Sequence, residues 1–153
     1  MDNNNIFLVV KAAIVGIFGA FGAAFGWLGW LVLAWICCMV VDYISGSSAA
    51  MKAGQWSSAQ ARAGIWHKAG MIVVVIVAAV ADNVLALVVA SIPSISIDYT
   101  VLLLPMVLVW YILTELGSIL ENAAAMGAPV PEFLIRILAT AKEKVEVATE
   151  DTE

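Results

Sequence analysis

The amino-acid sequence predicts an all-α integral membrane protein with about four transmembrane helices and a C-terminal amphipathic helix. Hydrophobic residues make up 63% of the chain, mean hydropathy is +1.01, and only 12% of residues are charged. A soluble domain of 153 residues could not bury so much apolar surface. All seven cations fall at Lys11, within residues 52–68 or within residues 136–144. The apolar runs between them are long enough to cross a bilayer.

The first two spans are predicted as a hairpin, near residues 6–25 and 28–45. Residues 12–41 include no charged side chain, and one helix of that length exceeds a hydrocarbon core of about 30 Å. Gly26 and Gly29 allow a turn between the two spans. The alternative is one strongly tilted helix, which would reduce the total from four spans to three.

Two further spans complete a transmembrane domain predicted over residues 1–126. Residues 46–68 are rich in Gly, Ser, Ala and Gln and carry three cations, which predicts a cytoplasmic loop with room for a short interfacial helix. The third span is expected near residues 69–92 and the fourth near 99–120, with Pro93 breaking the chain between them. Because this outer turn has no cation, both termini are predicted to be cytoplasmic.

Residues 131–148 predict an amphipathic cytoplasmic or interfacial helix. Its apolar residues recur every three or four positions, at Leu134, Leu138, Ala141, Val145 and Ala148. Its charged residues are expected away from that stripe, at Glu132, Arg136, Glu143 and Glu146. Such a helix could lie on the inner leaflet, pair with a copy of itself or cap the helix bundle. The acidic residues 149–153 are predicted to be disordered.

The first span carries a stripe of small residues, which allow helix backbones to approach closely in lipid. The stripe consists of Ala12, Gly16, Gly19, Ala23 and Gly26. We expect it to be an oligomer interface. Packing against the second span of the same chain is the alternative, and the spacing alone does not separate the two.

Polar and charged residues within the third and fourth spans are the candidate functional residues, because charge inside a bilayer costs several kcal/mol unless it faces water or a partner. They are Asp82, Asn83, Tyr111, Glu115, Ser118, Glu121 and Asn122. One interpretation is a wet, polar lumen. The other is a closed hydrogen-bonded network, involving Asn83 or Ser118, that locks the bundle.

No enzyme site, cofactor site or metal site is predicted. His67 has no neighbouring nucleophile or carboxylate at a useful spacing, and Cys37 and Cys38 are adjacent within an apolar run. No glycine-rich phosphate loop is present. Nucleic acid is not an expected partner, since the chain has no dense basic stripe and a net charge of −5.

Two stretches resemble the toxin-secretion and phage-lysis holin family. Residues 41–70, VDYISGSSAAMKAGQWSSAQARAGIWHKAG, are similar to the family's loop motif. Residues 111–134, YILTELGSILENAAAMGAPVPEFL, are similar to its closing motif, in which a Glu-containing span runs into S-I-L-E-N and a Pro-x-Pro helix start. Together they cover about a third of the chain in the correct order. The acidic tail departs from the family pattern, in which the C-terminus is basic.

The resemblance implies a non-enzymatic protein of the bacterial cytoplasmic membrane that forms homo-oligomeric holes in the lipid bilayer and releases a cell-wall hydrolase or an exported toxin. The residues that match the loop motif are Asp42, Gly46, Gly54, Ser57, Gly64 and Lys68. The residues that match the closing motif are Glu115, Ser118, Glu121 and Asn122. A channel or transporter subunit for small ions or protons, and an antiholin-type regulator, are the alternative functions.

Overall fold

The structure, a computed structural model of the chain, describes residues 3–92 and 101–150, without the side chains of residues 3, 4, 24, 25 and 148–150. Within those ranges the regular elements are all α-helices, which confirms the predicted fold class. They are α1 (Asn3–Lys52), α2 (Ser58–Ser91), α3 (Leu103–Ala125) and α4 (Glu132–Glu150). The chain divides into two compact units, residues 1–33 and residues 34–153.

Within the described ranges, four helical stretches are long and apolar enough to cross a membrane. They are Asn5–Ala23, Gly26–Lys52, Ser58–Ser91 and Leu103–Ala125. The first two belong to α1, which is interrupted at Gly26, where φ is 60° and ψ is −148°. Glycine adopts this left-handed backbone without the steric cost that a Cβ brings.

The first unit brings a glycine close to a tryptophan across this break. A Cβ added at Gly22 would lie 2.8 Å from the indole ring of Trp30, whereas one at Gly16 or Gly19 would meet nothing within 4 Å. Gly22 therefore packs within the unit, and the other two glycines leave their surroundings open.

The second unit is organised around α3, which packs against both α2 and α4. Leu108 of α3 is fully buried. The other buried apolar residues of this unit are Trp35, Met39, Met71, Val75 and Ala78. Most of the remaining large apolar side chains on α2 are exposed, as expected of a helix whose outer surface meets lipid.

The segment predicted as a loop, residues 46–68, is helical except at residues 53–57. α1 continues to Lys52, and α2 begins after Ser57, whose hydroxyl accepts a hydrogen bond from the Gln60 backbone N–H at 3.2 Å. Gly54 supplies the turn with a φ of 66°. Alanine-rich polar sequence has high helix propensity, so composition alone misplaced these helix ends.

α4 packs along α3. The predicted stripe residues Leu138 and Val145 lie at grooves shared with α3. Glu146, expected away from the stripe, instead accepts a hydrogen bond from Trp110 Nε1 at 3.0 Å. The Lys142 ammonium lies 4.6 Å from the centre of the same indole. The side of α4 that faces α3 therefore includes polar residues as well as the apolar stripe. The spacing of apolar residues could not predict the contact of Glu146 for that reason.

Some sequence predictions fall on residues that the structure does not describe. The predicted outer turn at Pro93 and the first residues of the predicted fourth span lie outside the described ranges. Of the tail predicted to be disordered, residues 149 and 150 belong to α4, and residues 151–153 are not described.

Candidate functional site

A buried charge cluster joins three helices of the second unit. Lys68 of α2 donates to Glu115 Oε2 of α3 at 2.6 Å and contacts Asp42 Oδ2 of α1 at 3.0 Å. The Glu115 side chain is 4% exposed, and those of Lys68 and Asp42 are 15% and 20% exposed. Lys68 therefore neutralises charge that would be costly to bury alone.

Hydrogen bonds extend this site. Asn122 Nδ2 donates to Asp42 Oδ1 and to Ser45 Oγ, both at 3.1 Å, and the Ser45 hydroxyl donates to the Asp42 carbonyl at 3.1 Å. We call these five residues, Asp42, Ser45, Lys68, Glu115 and Asn122, the Lys68 cluster. With one cation and two carboxylates, the cluster carries a formal charge of −1.

Two glycines of the loop motif lie beside side chains around the cluster. A Cβ at Gly46 would lie 3.4 Å from Asn122 Nδ2, and one at Gly64 would lie 3.8 Å from the Tyr43 ring. Both glycines also line a cavity of about 290 Å³ that Asp42 and Lys68 border. The glycines of the loop motif thus shape the surroundings of its charged residues.

Asp82 has a different structural role: it caps α3 from α2. Its carboxylate, 2% exposed, accepts the backbone N–H groups of Leu102 and Leu103 through Oδ1 at 3.2 and 3.0 Å, and that of Leu104 through Oδ2 at 2.7 Å. Leu102 has no side-chain cap of its own. Asp82 therefore satisfies donors that the first turn of any helix leaves unpaired.

The closed network considered from the sequence, with Asn83 or Ser118 as partners of the two carboxylates, is not the network observed in the described residues. The Asn83 amide donates to the Ala79 carbonyl of its own helix at 2.7 Å. Glu115 pairs with Lys68, and Asp82 binds the start of α3. Residue spacing along single helices did not reveal these partners, because they lie on other helices.

The remaining members of the predicted polar stripe take different positions on α3. Tyr111 stacks on Trp35, with ring centroids 6.2 Å apart and an angle of 18° between the rings. Ser118 is half-buried and Glu121 exposed, and both border the groove between α3 and α4. Whether these residues line a hole depends on how several copies assemble. The lining role therefore stays a prediction for all residues of the stripe.

The small-residue stripe of the first span also stays a prediction as an oligomer interface. Its described members Ala12, Gly16, Gly19, Ala23 and Gly26 are all exposed within this chain. Two other loop-motif residues are not members of the Lys68 cluster. Gly54 lies in the turn before α2, and Ser57 is the N-cap of α2.

Three residues that contribute to this region were not predicted from the sequence. Ser45 lies three residues after Asp42 and thus on the same helix face, a spacing that could have identified it. Trp35 and Trp110 were not singled out, although each packs against Tyr111. Their partners lie on neighbouring helices or beside them in sequence, where hydropathy patterns carry no signal.

A comparison with known protein families identifies the family of this chain. The model of the bacteriophage holin family matches residues 19–143, which is most of the chain and includes the whole Lys68 cluster. The chain belongs to the bacteriophage holin family. Holin-family proteins are membrane-inserted, non-enzymatic and pore-forming, which agrees with the four helices that could cross a membrane.

This holin-family chain is similar to proteins of three bacteria. It is 35% identical over 104 residues to an uncharacterized protein of Halalkalibacterium halodurans, covering 68% of this chain and 72% of that protein. It is 32% identical over 131 residues to uncharacterized proteins of Listeria innocua and Listeria monocytogenes, covering 86% of this chain and 85% of each. No solved structure matches the chain significantly.

The Lys68 cluster gathers holin-motif residues that lie far apart in the sequence. Asp42 and Lys68 come from the loop motif, and Glu115 and Asn122 come from the closing motif. Residues of both motifs therefore meet in one site, in which charge pairing and hydrogen bonding join α1, α2 and α3.

Proposed function

We propose that this chain is a holin that inserts into a bacterial cytoplasmic membrane with both termini inside. Copies assemble there and open holes through which a cell-wall hydrolase or a large exported toxin leaves the cytoplasm. The observation that carries this proposal is the holin family match over residues 19–143. The four apolar helices and the pairing of the two holin motifs in the Lys68 cluster support it.

The Lys68 cluster gives the proposal a physical starting state. In one chain, Glu115 and Asn122 of α3 face polar partners on α1 and α2. If the polar residues of α3 line a hole, they must exchange their contacts within the subunit for contacts with water as copies assemble. In an isolated subunit that exchange is unfavourable, because it separates the buried Glu115 carboxylate from the Lys68 ammonium, which costs several kcal/mol.

Assembly is proposed to use the small-residue stripe of the first span. Gly16 and Gly19 leave open space into which a neighbouring helix backbone fits. Replacing both by leucine should weaken self-association on crosslinking in membranes. Retained oligomers would instead assign this face to packing within one chain.

The experiment that tests the function is inducible expression in a bacterium that also contains a cytoplasmic muralytic enzyme. Optical density and release of a cytoplasmic reporter protein are followed, with the same strain lacking the enzyme as the control. Abrupt lysis that requires the enzyme, together with reporter release, supports a hole of protein size. Slow depolarisation without reporter release would favour an ion channel or carrier, and insertion without either effect would favour an antiholin-type regulator.

The lining role has its own test in the same strain. Glu115→Leu should still insert but should delay or abolish permeabilisation, and Glu132→Leu, which removes an exposed carboxylate on α4, should leave the timing unchanged. Lysis at the normal time in cells that express Glu115→Leu would show that Glu115 does not line the hole.

A further inference from the structure

α4 lies along most of the length of α3, although α3 is one of the helices that could cross a membrane. Residues 135–142 of α4 border one groove with residues 113–124 of α3. Val145 and Glu146 border a second groove with residues 106–111. The two helices are therefore antiparallel, and α4 accompanies about 27 Å of α3 at 1.5 Å per residue.

The far end of this contact lies within the hydrocarbon core. Trp110 Nε1 donates to Glu146 Oε1 at 3.0 Å, and the Lys142 ammonium lies 4.6 Å from the centre of the same indole. Lys68 is the last cation of α2, so the inner edge of the core lies no deeper than its pair with Glu115. Trp110 precedes Glu115 by five residues and is therefore about 8 Å deeper.

The outer side of α4 carries charge at this depth. Glu143 and Lys144 stand between Lys142 and Glu146, the two residues that contact Trp110, and both are exposed. Seven of the nineteen residues of α4 are charged. A charged side chain that faces lipid costs several kcal/mol. Lipid is therefore not the neighbour of this side of α4.

The groove between the two helices is polar as well. Ser118 and Glu121 of α3 border it, and it encloses about 450 Å³. Both of these residues belong to the polar stripe predicted for α3, whereas Glu115 and Asn122 of the same stripe point to partners on α1 and α2. Polar side chains on α3 and charges on α4 thus lie on the same side of the span.

We propose that this side of α3 faces a water-filled vestibule that is open to the cytoplasm, and that α4 lies inside the vestibule. Water solvates the exposed charges of both signs on α4, which a protein surface could do only with a matched partner for each. Glu143 and Lys144 then line the water path, beyond the residues of α3. Because α4 follows the cytoplasmic end of α3, the C-terminus stays connected to the cytoplasm. The inference rests on the proposed membrane insertion.

The first measurement asks whether α4 lies along α3 in the membrane. Val107→Cys and Val145→Cys, which replace residues of one groove, are combined in a full-length chain with Cys37→Ala and Cys38→Ala and treated with a short thiol-specific bridging reagent. The control replaces position 147 instead of 145, about 200° around the helix, where Val147 is 47% exposed. Cyanogen bromide cleaves after the methionine at position 126, so only a bridge keeps the α3 and α4 fragments of a monomer together.

The second measurement asks whether water reaches α4 at that depth. Val147→Cys, which keeps every charge of α4, is exposed to a charged, membrane-impermeant maleimide added to the cytoplasmic face of inside-out vesicles. The control is Val73→Cys on α2, because Val73 is 59% exposed and adjoins Val74, which borders the same groove as Val145. Membrane insertion of each variant is checked by resistance to alkaline carbonate extraction.

We expect bridging in most chains of the 107/145 pair, several-fold more than in the 107/147 pair, and labelling at position 147 several-fold faster than at position 73. Labelling without bridging would place α4 in the cytoplasm away from α3, and bridging without faster labelling would make the contact dry. Either result overturns the vestibule, and the holin function stands if enzyme-dependent lysis persists. Both expected results without permeabilisation would refute the holin function but leave the vestibule.

Discussion

Replacing Lys68 by methionine should destabilise the second unit strongly. The change keeps an unbranched apolar chain but leaves Glu115, 4% exposed, beside Asp42 with no cation at 2.6 or 3.0 Å. Breaking a buried ion pair by removing one partner costs about 3–5 kcal/mol. Asp42 and Lys68 are 20% and 15% exposed and admit some solvent, so we expect a loss of about 3 kcal/mol, at the low end of that range.

The assay is unfolding in mixed detergent micelles, with the denaturing detergent increased stepwise and helix content followed by circular dichroism. The expected loss corresponds to roughly a 100-fold change in the unfolding equilibrium constant. Arg136→Met is the matched control, because Arg136 pairs with Glu132 at 3.2 Å on an exposed face and should change stability by no more than about 0.5 kcal/mol. Adding Glu115→Gln to Lys68→Met should recover part of the loss. Equal stabilities of Lys68→Met and Arg136→Met would refute the reasoning.

Two further substitutions test contacts that only the folded chain reveals. Asp82→Ala should lower stability by about 2 kcal/mol or more in the same unfolding assay, because backbone donors of α3 lose their cap. Asn83→Ala is its control, since the hydrogen bond described for that amide is to Ala79 of its own helix, and equal losses would contradict the capping role. Gly22→Ala should cost about 1 kcal/mol, because the exposed Trp30 indole has to move away from the added Cβ. Gly16→Ala should be neutral, and identical effects of the two alanines would contradict the packing described at Gly22.

The predictions from sequence succeeded where the physical signal lies along one helix. Apolar runs and the placement of cations identified an all-α membrane protein. α1 is interrupted at Gly26, one of the two glycines placed at the predicted turn, and the hairpin itself stays a prediction. Sequence composition failed at residues 46–68, where alanine-rich helix continues on both sides of a five-residue turn. A polar segment at a membrane boundary can be loop or helix with similar composition, so the N-cap at Ser57 decides where α2 begins.

The sequence by itself determined that the chain belongs in a bilayer, which parts can cross it, and which polar residues are too costly to leave without partners. Tertiary structure alone decided what those partners are. Asp82 caps α3, and Lys68 pairs with Asp42 and Glu115. The hydropathy of a residue follows from its type alone. A hydrogen bond between helices depends on how the two helices pack, which the sequence pattern does not give. For that reason the cost of each buried charge was visible in the sequence, and the group that offsets it was not.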